Sequence, residues 1–230
     1  MKKLPGTGTV EISPSILSAD FAHLGKSIAD IADHVRMLHL DIMDGHFVPN
    51  LTIGPPVVKK LRPICDLFFD THLMLMDPAR YAPEFVKAGS NGITFHLEAV
   101  SDPLALIRQL RDLGVSVGIS IKPKTPVGRL EGVIEAIDMV LLMTVEPGFG
   151  GQALLPDSAE RCAAVRKMLR PDQRLEVDGG INPETIGGIV RAGADTIVAG
   201  HAIFNTPDPA TAIRAMHAAA MAEYKPTGNL

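Results

Sequence analysis

Tryptophan is absent from this 230-residue chain, tyrosine and cysteine occur twice each, and aromatic residues make up only 4% of it. The two thiols, Cys65 and Cys162, form no CxxC pair and no disulfide framework, which excludes a small cross-linked secreted fold and points to a reducing cytosol. Each reads as a small buried hydrophobe rather than a nucleophile. No run approaches about 18 uninterrupted apolar residues, so no membrane span is expected. The basic start Met1-Lys2-Lys3-Leu4-Pro5-Gly6 lacks the apolar stretch of a signal peptide, and the tail after Tyr224 reads as a frayed end. Positive charge is also scarce, with 22 Lys and Arg against 26 Asp and Glu, a net charge of -4 and no basic block. Nucleic acid is therefore not an expected partner. A small anionic ligand remains compatible, because glycine-loop amides and helix N-termini bind phosphate without a basic surface.

What is present is an apolar-rich chain, 46% hydrophobic, with no composition shift or long linker. It is read as a single domain over residues 1–230 with a sizeable core. Short β-rich runs fall at 10–17, 37–43, 67–74, 92–97, 115–121, 138–144, 174–178 and 195–199. Amphipathic segments lie between them, for example at 20–33, 77–88, 101–113, 157–169, 182–192 and 207–222. Asp77-Pro78, Asp102-Pro103, Asn182-Pro183 and Thr206-Pro207 place a capping side chain before proline at a first helical turn. Gly89 and Gly193 read as left-handed helix ends. About eight strand–helix units in a chain of this length predict an α/β fold of the (β/α)8 TIM-barrel type. The competing doubly wound sheet would show GxGxxG after its first strand, and none is present.

His39, Asp41 and Met43 alternate along one run, and Asp70, His72 and Met74 along the next, so each trio shares one strand face. Asp41, His72 and Asp178 fall near the carboxyl ends of their strands, the catalytic face of such a barrel. Carboxylates are costly to bury without partners, so apolar runs ending in Asp41 and Asp178 point to ligation or proton transfer. Taken singly, a strand histidine is a hydrogen-bonded core residue and a strand-end aspartate a helix cap. Converging at one mouth, His39, Asp41, His72 and Asp178 form a two-His, two-carboxylate set suited to a divalent transition metal. Met43, Met74 and Met143 end three strands and would place soft apolar surface over that mouth, excluding water from a reactive anion. Three glycine-rich turns follow the last strands: Glu146-Pro147-Gly148-Phe149-Gly150-Gly151-Gln152, Asp178-Gly179-Gly180 and Ala199-Gly200-His201. Adjacent glycine loops there favour a phosphate held by backbone N–H groups. Together the parts describe proton abstraction beside the carbonyl of a phosphorylated sugar, with one aspartate as base and the other, protonated, returning a proton from the opposite face.

The strings PSILSADFAHLG (14–25), HLDIMDGHFVPNLTIGP (39–55), DTHLMLMDPARY (70–81), MTVEPGFGGQ (143–152) and EVDGGIN (176–182) resemble the ribulose-phosphate 3-epimerase family over nearly the whole chain. The resemblance implies a (β/α)8 barrel that interconverts D-ribulose 5-phosphate and D-xylulose 5-phosphate in the pentose phosphate pathway and the Calvin cycle. It also implies a homo-oligomer with one divalent metal per subunit, zinc, iron, manganese or cobalt, and the cysteine usage places it in the cytoplasm. By the same resemblance the metal ligands are His39, Asp41, His72 and Asp178, with Asp41 the proton acceptor and Asp178 the donor. Ser15 and His72 would contact substrate, Gly148–Gly151, Gly179, Gly180 and Gly200 the phosphate, and Met43, Met74 and Met143 would shield the intermediate. One departure stands out: where the family has a serine after the strand-eight glycine, this chain has His201. An imidazole there would replace the lost hydroxyl contact and, when protonated, strengthen phosphate binding. Rival readings are an epimerase of a hexulose such as D-allulose 6-phosphate, and a barrel that binds sugar phosphate without turnover. A metal-free decarboxylase barrel would need a lysine in an Asp-x-Lys-x-x-Asp arrangement, and Asp41–Asp44 contains none.

Overall fold

The computed structural model describes residues 2–225, so the residues of the expected frayed tail from 226 on lie outside the described ones. The described strands are β1 Glu11–Pro14, β2 Met37–Met43, β3 Phe68–Met74, β4 Gly92–His96, β5 Ser116–Ile121, β6 Met139–Met143, β7 Arg174–Asp178 and β8 Thr196–Ala199. They pair in the order β1-β8-β7-β6-β5-β4-β3-β2, every pairing parallel. The ends of this ribbon meet at a bridge between Ser15 and His39. The sheet thus curls round on itself as the expected (β/α)8 barrel, each parallel step bridged by a crossover on the outside.

The crossovers carry α1 Leu24–Ala29, α2 Pro55–Leu61, α3 Pro78–Ala88, α4 Pro103–Asp112, α5 Ser158–Met168, α6 Ile186–Arg191, and after β8 both α7 His201–Phe204 and α8 Pro209–Glu223. Asp77 and Asp102 cap α3 and α4 as their proline-flanked positions predict, accepting from the backbone N–H of Arg80 and Ala105. Gly89 ends α3 in the left-handed region, at φ 112°.

Other expectations are corrected. The segment 20–33 is helical only over α1, flanked by 3-10 turns at Phe21–His23 and Ala32–His34. Asn182 makes a turn rather than the cap of α6, its side chain accepting from the N–H groups of Glu184 and Thr185. Thr206 does not cap α8 either: its hydroxyl donates to the Ile203 carbonyl, and Asp208 caps the helix before Pro209. The first strand stops at Pro14 because Ser15 turns the chain, its hydroxyl accepting from the N–H of Leu17. Helix α2 was not anticipated, and the crossover between β5 and β6 holds 3-10 turns at Val127–Leu130 and Ile134–Ala136 instead of an α-helix.

Period-two alternation explains where the core lies. Leu38, Leu40 and Ile42 on β2 point outward into the main apolar cluster, which also takes Val117, Ile119 and Ile121 of β5 and the inner faces of the helices. The opposite faces of the same strands turn to the barrel axis, and there His39, Asp41, Asp70, His72, Arg174 and Glu176 are polar and buried. Hydrophobic burial between sheet and helices, at about 25 cal/mol per Å2, thus offsets the cost of a polar interior.

The amino-terminal end of the barrel is closed by Arg174, which is fully buried. Its guanidinium donates to the carbonyls of Pro5, Gly6 and Asp195 and lies 3.4 Å from the Asp195 carboxylate. This ties the chain's start beneath the sheet, far from the carboxyl ends of the strands. Arg174→Met is expected to destabilise the fold by about 3 kcal/mol, because it leaves buried carbonyls and Asp195 short of a donor. Chemical denaturation should show that loss with little change in turnover of the folded protein.

Candidate active site

The β2–β3 register pairs His39 with Asp70, Asp41 with His72 and Met43 with Met74, and that between β6 and β7 pairs Met143 with Asp178. Register neighbours on parallel strands share a face, so the alternation seen in each segment stacks into layers across the barrel. On β2 and β3, His39 and Asp70 lie deepest, Asp41 and His72 above them, and Met43 and Met74 at the mouth, while Met143 and Asp178 are register partners at the ends of β6 and β7. One ligand-type atom from each of His39, Asp41, His72 and Asp178 lies within 4.8 Å of all the others. The His39 Nε2 and His72 Nδ1 atoms each stand 3.5 Å from Asp41 Oδ1. Both nitrogens are buried and lack a hydrogen-bond partner among the described residues. Two lone-pair donors and two carboxylates around one point are what a divalent cation satisfies, so the residues fit the metal predicted for them.

Residues around the four ligands hold this cluster, and two of them, His96 and Glu176, were passed over in the sequence. Asp70 accepts from His39 Nδ1 at 2.6 Å, which fixes the ring so that Nε2 faces Asp41. Ser15 donates to Asp41 Oδ2 at 2.5 Å. His96, at the end of β4, lies against His72, and Glu176 sits 3.7 Å from His39 Nδ1. A signal was available for Glu176, which lies two residues before Asp178 and so shares its strand face.

The electrostatics divide the two aspartates. Burial by itself would raise Asp41, but the charge of His39 and the nearness of both imidazoles outweigh it and hold Asp41 well below the carboxylate range. Asp178 is pushed up to about 6, by burial first and then by the neighbouring Asp41 charge. Burial opposes charge on His39, yet Asp41 and Asp70 raise its pKa well above the ordinary value, so this cluster favours a positive charge in its midst. Glu176 is raised by burial and by Asp70.

Above the carboxylates opens a cavity of about 370 Å3. Its floor takes Ser15, Asp41 and Asp178, and Met43, Met74 and Met143 line one part of it. Gly148, Phe149, Gly150, Gly151, Gly179, Gly180, Gly200 and His201 line another, so the structure brings together the glycine turns singled out in the sequence. His39 and His72 lie below this surface, both fully buried. Ser18, also unanticipated, stands between two of the turns. A side chain at Gly200 would come within 2.6 Å of the Ser18 hydroxyl, so only glycine lets the strand end approach so closely. His201 opens α7, and its Nδ1 lies 2.9 Å from the Asn205 side-chain nitrogen. Asn205 thus donates to Nδ1, which leaves Nε2–H as the ring's other hydrogen-bonding group. Cys162 plays no part here: it is fully buried and its thiol is pushed up to about 12 by burial.

A parallel barrel whose carboxyl-terminal mouth joins a His/Asp cation centre to a ring of glycine turns defines a sugar-phosphate-binding barrel equipped for a divalent metal. The chain belongs to the ribulose-phosphate 3-epimerase family, whose model matches residues 11–204. It is 45% identical over 213 residues to the ribulose-phosphate 3-epimerase of Mycobacterium tuberculosis, covering 91% of this chain and 93% of that one. The Bacillus subtilis enzyme of that name is 44% identical over 209 residues, covering 89% and 96%. The cytoplasmic isoform of Oryza sativa is 43% identical over 221 residues, covering 93% and 95%. Among solved structures, a 3-hexulose-6-phosphate synthase superposes with a TM-score of 0.71 at 20% identity, covering 91% of this chain and 99% of that one. Orotidine 5′-phosphate decarboxylase from Pyrococcus horikoshii does so with a TM-score of 0.70 at 18% identity, covering 91% and 98%. These two likenesses concern the fold. No described helix is long and apolar enough to cross a membrane.

Proposed function

We propose that the protein interconverts D-ribulose 5-phosphate and D-xylulose 5-phosphate by moving the C3 proton between two carboxyl groups on opposite faces of the substrate. The observation that carries this reading is the pair of unpartnered, buried nitrogens, His39 Nε2 and His72 Nδ1, facing Asp41 beside an aspartate of raised pKa. His39, Asp41, His72 and Asp178 hold one divalent ion, drawn from zinc, iron, manganese and cobalt. When bound, the ion supplies Lewis-acid stabilisation of the negative charge that develops on the ketose oxygen as C3 is deprotonated.

The residues divide the remaining work. Asp41, kept ionised by His39 and His72, is the base that takes the C3 proton. Asp178, whose environment favours the protonated form, returns a proton from the other face. Met43, Met74 and Met143 keep water from the carbanionic centre. Backbone N–H groups of the turns at Gly148–Gly151, Gly179–Gly180 and Gly200 receive the phosphate, with Nε2–H of His201 beside them. Ser15 orients Asp41 and reaches the substrate hydroxyls from β1, while His72 serves from beneath as a ligand. The relatives' names favour a pentulose over a hexulose phosphate. The same reading takes residues 1–230 as one domain that works in the cytoplasm as a homo-oligomer.

The test is an epimerase assay on ribulose 5-phosphate and on allulose 6-phosphate, with elemental analysis of the same sample. Chelated, metal-free protein is expected to lose activity by about 10^3-fold or more and to regain it on addition of Zn2+, Co2+, Mn2+ or Fe2+. Full turnover by protein shown to contain no metal would refute the metal role. A higher kcat/KM for the hexulose phosphate would replace the substrate.

A further inference from the structure

Behind His72 lies a chain of polar groups that the two-aspartate chemistry leaves unexplained. His72 Nε2 is 2.9 Å from His96 Nε2, with the ring centroids 4.9 Å apart and the planes inclined by 31°. His96 Nδ1 is in turn 3.3 Å from Glu98 Oε2. Both imidazoles are fully buried, so water cannot rescue a mismatched pair. Two ring nitrogens in such contact share one proton: a second would bring N–H against N–H, and none would leave two buried acceptors facing each other.

The far ends decide which nitrogen carries it. An ionised Glu98 only accepts, so His96 Nδ1 carries hydrogen and donates to it. A neutral imidazole has a single N–H, which makes His96 Nε2 the acceptor and His72 Nε2–H the donor. The His72 lone pair is then left on Nδ1, the unpartnered atom 3.5 Å from Asp41.

Other contacts hold the chain in place. Glu98 Oε1 accepts from the Lys122 N–H at 2.8 Å and from the Thr125 hydroxyl, both just past β5. The Phe47 ring covers His96 at 4.7 Å, and Lys122 Nζ lies 3.7 Å from the Phe47 ring centre.

We infer that His96 and Glu98 are positioning residues that set the tautomer and ring orientation of His72, so that its Nδ1 lone pair faces the cation centre. The inference rests on the metal role proposed above. It gives His72 through two groups what His39 obtains directly from Asp70, an acceptor behind the ring that turns the free lone pair inward.

Zinc affinity by chelator competition and the visible spectrum of the Co2+ form test it on the full chain, for wild type, His96→Leu and His96→Gln. Leucine removes the acceptor at similar volume and is expected to weaken metal binding by about 10- to 100-fold, with an altered Co2+ spectrum. Glutamine can accept from His72 through Oε1 and donate to Glu98 through Nε2, and should keep affinity within about threefold of wild type. Unchanged affinity in His96→Leu, or equal losses in both variants, overturns the positioning role. Wild-type protein that binds neither ion overturns the metal centre itself, a result distinct from either. A measurement without variants guards against misfolding: long-range 1H–15N correlation spectra of the zinc-loaded wild type must show His72 as the Nε2–H and His96 as the Nδ1–H tautomer. A proton on His96 Nε2 would overturn the assignment.

Discussion

Asp178→Asn is expected to reduce epimerisation by about 10^3-fold or more, because an amide cannot return a proton to C3 and no other acid faces the substrate from β7. The same variant should still catalyse, at a reduced rate, exchange of the C3 hydrogen with deuterated solvent in the epimer whose C3–H faces Asp41. Asp41→Asn should lose epimerisation equally and show the mirror pattern, exchange confined to the other epimer. Proton NMR of each pentulose phosphate in D2O reads both outcomes. Exchange from both epimers in one variant would mean that a single carboxyl serves both faces, and the division of labour would fail.

Asp178 also predicts a pH effect on the metal-free protein. Its folded-state pKa of about 6 lies above the ordinary 3.8, so the folded protein holds this proton more tightly than the unfolded chain. The resulting stability is fully present below about pH 4 and is lost as pH rises through about 6, the difference being of order 3 kcal/mol. Asp178→Asn removes that dependence. In the presence of chelator its melting temperature relative to wild type should therefore be higher at pH 8 than at pH 4, and a constant difference would contradict the raised pKa.

Gly180→Ala should strike the phosphate end of the site, where the aspartate variants strike the chemistry. Gly180 has φ +69°, and a β-carbon there would lie 2.6 Å from Leu154 Cα and press on its backbone nitrogen as well. The obstacle is backbone on the far side of the β6 loop, which cannot rotate away as a side chain would. The strain of a left-handed alanine, about 1 kcal/mol or more, combines with displacement of that loop. We expect KM for the sugar phosphate to rise by about tenfold or more, kcat to fall less, and the melting temperature to drop by several degrees. Competition by inorganic phosphate should weaken in parallel. An unchanged KM would separate the Gly179–Gly180 turn from phosphate recognition.

Residues whose role follows from local pattern were legible in the chain. Alternation alone put His39, Asp41 and Met43 on one face, and Asp70, His72 and Met74 on another. Strand counting supplied the barrel that makes those faces converge. Helix α2 escaped notice because its proline-rich, seven-residue span is too short for a clear 3.6-residue period. The β5–β6 crossover was read as one more unit though it holds only 3-10 turns, since Gly128 and Gly132 favour short bends over a continued helix. His96 and Glu98 went unread because nothing in the spacing of residues 96 and 98 says that β4 lies beside His72.

The order of residues by itself determined the strand–crossover rhythm, the inward carboxylates and histidines, and the glycines able to adopt left-handed turns, because each depends on neighbours a few positions away. Tertiary structure alone decided the strand register that sets Asp41 beside His72, and the close approach of Asp41 to Asp178. It also decided the unequal proton affinities of those two acids and the imidazole behind His72. These depend on distances between segments remote in the chain and on the exclusion of water, and both arise only when the sheet closes.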